Sequence, residues 1–459
     1  MKMTMFENIA AMAVLVGLCP ASLTSADCTA PAAWFPHGRT PEPNHDVAPS
    51  RNCEFHMWQY QEFLFLTQDV GGRPRFLGLP TYQDLLTPGR EPLAYAALPR
   101  DRPIQLFPRI NKAGDPQSLG SIFQAQSNGM ALVDQKGRAV YSMIHVNQKY
   151  YDFVRSNRLY DPAVYGAVSP TMNFPNGCVT IKSTWRVLAQ GEAGDGFYAT
   201  DAEVPLLTTQ DGKVVIDPSM TRTERVAMVG IHVVGRVEGH PEFIWGTFEH
   251  NANAPELAEG GNPSSTDPVS NRDWTFYRAN TPARDCNLSN AGNLTLVDPG
   301  AQTLSPIVNV FRQFAQGGGS DSNRAEIREL NGSVHDQIRA TEPTSPWLNY
   351  DLIGSVWTTG NLQPDQFIRI ADSRGSVRLS NSTMETTFQR QQNCFSCHDT
   401  RHVNQQGMSL GGKNLNTSHI LRDNFFHAAE FANAALAVQQ PQQQQPQKQT
   451  PEPPASPRR

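Results

Sequence analysis

The chain has 459 residues, enough for a sizeable core and for two domains, and its 18% charged and 39% hydrophobic residues suit a globular protein. A net charge of −5 gives no basis for nucleic acid or an anionic membrane surface as partner. The 35 prolines and 34 glycines favour loops and sheet over long helices.

At the N-terminus, Lys2 precedes an unbroken small-and-apolar run, Ile9 to Leu18 (IAAMAVLVGL), which is too short to span a bilayer. Pro20 ends the run, and Thr24-Ser25-Ala26 offers a small-residue cleavage site before Asp27. Residues 1–26 therefore read as a signal peptide, with a buried N-terminal helix as the competing reading. Cys19 follows Leu18 rather than the small residue that a lipoprotein site needs, and it leaves with the signal. No later stretch is long and apolar enough for a membrane span. The mature chain keeps Cys28, Cys53, Cys178, Cys286, Cys394 and Cys397. In an oxidising compartment at least one disulfide is expected among the first four, and three connectivities are open.

Residues 27–52 form an extended lead-in. Cys53 to Thr67 (CEFHMWQYQEFLFLT) spaces Phe55, Trp58, Phe63, Leu64 and Leu66 as an amphipathic helix would, with these aromatics as core. From about 120 to 280 the pattern turns to strands: Val140 to Val146, Val179 to Leu188, Val226 to Val237 and Phe243 to Phe248. Several alternate in polarity, which predicts an antiparallel sheet with one covered face. Asn251 to Asp298 is polar and reads as a long irregular excursion. Helices are predicted over Ile307 to Ala315 and Asn323 to Ala340. Residues 439–459 are Gln and Pro with almost nothing to bury, a disordered tail.

The segment that carries chemistry is Asn393 to His398, N-C-F-S-C-H. Two cysteines three apart, followed at once by His, form the attachment signature of c-type haem. Each thiol adds to one of two vinyl groups on a porphyrin edge, and the next residue sets an imidazole beneath the iron. An N-terminal export signal agrees with this, because haem is attached outside the cytoplasm. A zinc knuckle, a redox dithiol and a plain disulfide are the alternatives. Zinc would need further ligands at spacing, and a redox dithiol would need a preceding strand in a βαβ unit. Ser382 to Glu385 reads as a capping box opening a helix over Thr383 to Gln392, with Met384 and Phe388 on one face. Cys394 and Cys397 are the expected attachment points of the haem, and His398 is the expected iron ligand. His419 is taken as a second iron ligand, and Met408, a distant His145, His232 or His250, or an open position remain alternatives. His402 is too close in sequence to reach the other face.

Three pieces, Asp134 to Tyr151 (DQKGRAVYSMIHVNQKYY), Val229 to Pro255 (VGIHVVGRVEGHPEFIWGTFEHNANAP) and Ser382 to Asp399 (STMETTFQRQQNCFSCHD), resemble a family of exported bacterial mono-haem c-type cytochromes. That family has a large N-terminal region and a C-terminal haem motif. The resemblance covers most of residues 55–425 and implies haem on Cys394, Cys397 and His398. The family has no settled activity, so the resemblance carries architecture. Val356 to Gly360 (VWTTG) departs from the family pattern after the Trp, and the Gln-Pro tail falls outside it. The trio Phe248-Glu249-His250 matches a family segment and reads as a structural strand end.

Three functions follow. The first is one-electron transfer by haem c and its iron with a periplasmic redox partner. The second is haem c enzymology of a peroxidase or oxygenase type, and the third is haem-based sensing. No Gly-rich dinucleotide loop, H-E-x-x-H helix or G-x-S-x-G elbow supports another chemistry. The expected fold class is α+β: a mostly antiparallel β-rich core, an N-terminal helical lead and a helical C-terminal haem c segment. The expected divisions are 27–299 and 300–438. The haem segment is short, so the large N-terminal region is expected to supply part of the pocket.

Overall fold

The computed structural model describes residues 28–86, 90–99, 102–106, 131–391, 393–405 and 407–426. The signal-peptide reading of 1–26 and the tail reading of 439–459 lie outside the described residues. Helix α1 is Asn52–Thr67. Its start is fixed by Glu54, whose carboxylate accepts hydrogen bonds from the backbone N–H of Ser50 (2.8 Å) and Arg51 (3.2 Å). These bonds and the Arg51 guanidinium pull the Glu54 pKa down to about 2. A disulfide joins Cys28 to Cys53 and ties the lead-in to the helix. Among the four cysteines considered for pairing, Cys178 and Cys286 are buried thiols.

The centre is a seven-stranded sheet in the order β1-β2-β4-β5-β8-β9, with β3 pairing β4, and every pairing is antiparallel. The strands are β1 Val140–Val146, β2 Val179–Val187, β3 Ala199–Gln210, β4 Lys213–Val237 and β5 His240–His250. A small hairpin, β6 Thr295–Asp298 and β7 Thr303–Ser305, lies apart, and β8 Tyr350–Thr358 and β9 Ser373–Gly375 complete the sheet. The fold is α+β with a mostly antiparallel core. Strands β1, β2, β4 and β5 fall where alternation predicts them. Strand β8 does not: it comes from the region expected to be helical, yet it pairs with β5 in the same sheet.

Both faces of the sheet are covered, where the sequence reading expects one. On the first face lies α1. Gly235 and Gly246 make room for it: a Cβ at Gly235 would sit 2.4 Å from the Trp58 ring, and one at Gly246 would sit 2.2 Å from the Gln59 side chain. Gln59 donates from Nε2 to the Val233 carbonyl (2.9 Å), and Phe63 stacks on Phe248 with ring centres 4.0 Å apart. Sandwiched this way, α1 is buried nearly all round rather than along one stripe.

The short α2 is Tyr82–Leu85, α3 is Gln148–Ser156 and α4 is Pro162–Ala167. The last helix of this set, α5 Asp321–Thr341, matches the predicted 323–340 helix and buries Ile327, Leu330, Val334 and Ile338 on one stripe. Its Asn331 grips Leu352 of β8 with two bonds, Leu352 N–H to Oδ1 (2.9 Å) and Nδ2–H to the carbonyl (3.0 Å).

The second face carries a separate apolar cluster with Val234, Trp245 and Val356 of the sheet, Tyr150 and Tyr165 of α3 and α4, and Phe395, Leu415 and Leu421 of the C-terminal segment. The helix predicted over Ile307 to Ala315 is instead an extended ribbon. Its backbone bonds go to neighbouring segments, Val308 N–H to the Val133 carbonyl (3.0 Å) and Arg312 N–H to the Pro255 carbonyl (2.8 Å).

Candidate functional site

The second face carries one row in which three side chains are polar. Register pairs Ile144 with Lys182, Lys182 with His232, and His232 with Thr247, so these four residues lie side by side across β1, β2, β4 and β5. Residues 380–391 cross this face as turns and a short 3₁₀ stretch, not as the helix that the S-x-x-E pattern predicts. The reason is tertiary. Ser382 gives both its backbone N–H (2.7 Å) and its hydroxyl to the Glu249 carboxylate. Asn381, one residue earlier, takes the capping role, donating its N–H to Glu385 (2.7 Å) while its Oδ1 accepts from Thr383 N–H (2.9 Å). Asn381 Nδ2 also donates to Thr247 Oγ1 (2.8 Å). The crossing is so close that a Cβ on Gly230 would come within 2.8 Å of Thr383 Oγ1.

Glu249 is fully buried, and Arg312 faces it at 3.4 Å while also meeting Glu256 at 3.1 Å. His250 accepts from Ala252 N–H (3.1 Å) and donates to the Gly196 carbonyl (2.9 Å). The Phe248-Glu249-His250 trio is thus structural, and its Glu249 clamps the segment that leads to the cysteine motif.

In the motif, Asn393 Oδ1 accepts from Phe395 N–H (3.0 Å), and a single 3₁₀ turn, Cys394–Ser396, follows. Cys397 N–H and His398 N–H both donate to the Cys394 carbonyl, at 3.1 and 2.9 Å. A 3₁₀ turn brings residues i and i+3 together, so the turn presents both sulfurs to the same space. Cys394 and Cys397 are not joined to each other. Burial pushes the Cys394 thiol well up, so it stays neutral.

His398 packs against the Trp245 ring at 4.2 Å between centres, and Trp245 is held by its own Nε1–H to the Glu242 carbonyl (2.9 Å). His398 Nδ1–H donates to the Thr417 carbonyl at 2.9 Å. That bond fixes the tautomer with the proton on Nδ1 and orients the ring, as a backbone carbonyl does for a metal-binding imidazole.

Between the motif and the polar row lies a cavity of about 1080 Å³, counting its open mouth. Its walls include Lys182, His232 and Thr247 of the sheet, Cys394, Cys397 and His398 of the motif, and the Thr417-to-Ile420 stretch. The N-terminal region therefore supplies much of the wall, as the short C-terminal segment requires. His232 donates through a ring nitrogen, Nε2, to Glu385 Oε1 at 3.0 Å. Burial raises the Glu385 carboxyl, but the His232 bond and charge and the nearby Lys182 outweigh it, so the carboxyl is held below its ordinary value.

The fate of the other predicted residues differs. His419 comes to the motif, but its ring stacks on His398 with centres 3.6 Å apart, and its Nε2–H donates to the Cys397 carbonyl (3.0 Å). Two imidazoles that held one iron between them would have to stand on either side of it, whereas these two rings are in direct stacking contact. Met408 is 39% exposed and outside the cavity wall. His402 is exposed and bonded to Asp365 (2.9 Å). Phe388 lines the cavity, and Met384 is buried outside its wall. Lys182 has no motif signal, and Glu385 carries only the S-x-x-E capping pattern, which points to a helix start and not to a site. Only the register of β2 against β4, and the turn at Asn381, bring them here.

The residues present fit a covalent haem: two thiols on one turn, an imidazole oriented by a backbone carbonyl, and a mainly apolar space beside them. Among the described residues no three His, Cys, Asp or Glu side chains converge as a metal-ion site, so a zinc knuckle lacks its donor set there. No described helix is long and apolar enough to cross a membrane. The chain matches no family model, no curated protein and no solved structure.

Proposed function

We propose that the protein is an exported mono-haem c-type cytochrome that passes single electrons to and from a periplasmic partner, with haem on Cys394 and Cys397 and iron on His398. The observation that carries this reading is the His398 Nδ1–H bond to the Thr417 carbonyl (2.9 Å), inside a cavity whose wall also holds both cysteines. It supports the imidazole as a pre-oriented ligand. Haem bound there supplies a one-electron couple whose potential the protein sets through ligand identity, burial and hydrogen bonding.

The chain's own residues do the rest. Trp245 and Thr417 hold the His398 ring, and Glu249 clamps the approach segment through Ser382. The Cys28–Cys53 disulfide supports an oxidising compartment, consistent with export.

A second reading, small-molecule chemistry or gas sensing at an open iron, draws on the Lys182, His232 and Glu385 cluster, which would give such a site a proton donor. The deciding experiment is expression of the whole chain with a haem-maturation system. The expected result is haem that stays attached on denaturation and is lost in Cys394→Ala/Cys397→Ala. The ferrous spectrum with and without CO then separates the two readings. Absence of covalent haem overturns both.

A further inference from the structure

The cavity wall combines two chemically different sets of residues, the motif and the group Lys182, His232 and Glu385, and His232 is the imidazole in that wall that comes from neither the motif nor the segment packed against it.

The other thioether and imidazoles that the sequence reading weighs each have a structural reason to be set aside. His419 stacks on His398. Met408 and His402 are outside the cavity wall. His145 follows Ile144 on β1 and so points to the opposite face, where it meets the Phe76 ring at 5.6 Å. His250 stacks on Phe197 at 3.6 Å.

His232 is also held as ligating imidazoles are held. A carboxylate only accepts hydrogen bonds, so the His232 Nε2–H donates to Glu385, and Nδ1 keeps the lone pair. A carboxylate on the far nitrogen of an imidazole is the usual partner of a metal ligand: it orients the ring and raises its basicity. Glu385 is itself fixed by the Asn381 N–H (2.7 Å).

We propose that His232, positioned by Glu385, is the protein ligand at the sixth coordination position of the iron, opposite His398. This rests on the haem reading above and deepens it: two imidazoles, one from the motif and one from the sheet, close the iron to external ligands.

The test uses the full chain matured with haem, compared with His232→Ala, His232→Met and Glu385→Gln. Covalent attachment is read first, by haem retention on denaturing gels. If the wild type carries none, the haem reading itself fails and this inference falls with it. With haem attached, the wild type is expected to be low-spin and inert to CO. His232→Ala is expected to become high-spin and to bind CO fully, and added imidazole is expected to restore the low-spin spectrum. His232→Met is expected to stay low-spin with a raised midpoint potential, since a thioether raises the potential relative to imidazole.

If the alanine variant does not fold, Glu385→Gln keeps the imidazole and is expected to remain low-spin with a raised potential, because the ligand loses its anionic partner. A wild type that is high-spin and CO-reactive overturns the proposal. So does a His232→Ala protein that keeps the wild-type low-spin spectrum, which would assign the position to another cavity group such as Lys182. An unchanged potential in Glu385→Gln also counts against it.

Discussion

His398 and His419 lie face to face, ring centres 3.6 Å apart and planes 22° from parallel, and each is anchored to the other's segment: His398 to the Thr417 carbonyl, His419 to the Cys397 carbonyl. The pair works as a reciprocal latch between the motif and the stretch that starts the last described helical residues, 419–426.

If His419 is a latch and not a trans ligand, His419→Gln should leave the axial coordination intact. The matured variant is expected to keep its wild-type spin state, while stability falls by about 1 kcal/mol for the lost hydrogen bond and stacking. Absorption spectra and urea denaturation measure the two effects. His398→Ala, by contrast, should change the spectrum outright.

Glu249 and Arg312 form a buried pair whose acid also holds Ser382. Glu249→Ala leaves the buried guanidinium with Glu256 alone and releases the approach segment. A loss of about 3–5 kcal/mol is expected, as for other broken buried pairs. The double variant Glu249→Leu/Arg312→Met should recover part of that loss. Denaturant midpoints at constant slope are the measurement.

Gly246 carries no side chain because Gln59 occupies the space, and its Cβ would come within 2.2 Å of that side chain. Gly246→Ala should cost about 1–3 kcal/mol through overpacking. Gln59→Ala in the same chain should relieve part of the clash, read as a partial recovery of the thermal midpoint.

Stability should fall on mild acidification. Burial lowers the pKa of His56 to about 4, His145 to about 3 and His250 to about 4, from an unfolded value near 6.5. Folded, these imidazoles stay neutral; unfolded, they take up protons as pH drops below 6.5. Between pH 6.5 and about 4 the unfolded chain binds more protons, so stability rises with pH across that window and is lost as acid increases. Each contributes about 2 kcal/mol of loss at pH 5, at 1.36 kcal/mol per pH unit. His145→Leu should flatten the curve by that amount in urea titrations at pH 7 and pH 5.

The site was partly legible in the sequence, and the reasons differ by residue. Cys394, Cys397 and His398 stand in one local motif whose chemistry dictates their spacing, and helices α1 and α5 carry local periodicity. The polar row was not legible as a site. Lys182, His232 and Thr247 alternate with apolar residues as a solvent-facing strand would, and nothing local separates a cavity wall from a wet surface. The S-x-x-E pattern at Ser382 was misleading because Glu249, 133 positions earlier, takes the serine that would have capped a helix. Strand β8 holds a β-branched and aromatic run (YDLIGSVWT), but its place beside β5 depends on partners far away in the chain.

The sheet is a partition with a compartment on either side, and its two sides share one backbone. On β5, Gly246 faces the α1 side while Trp245 and Thr247 face the cavity, so crowding introduced behind the partition displaces the wall in front by the same peptide units. A chromophore seated on the cavity side would then act as an optical gauge for the far side, changing colour when α1 loosens although no atom of α1 lines the cavity.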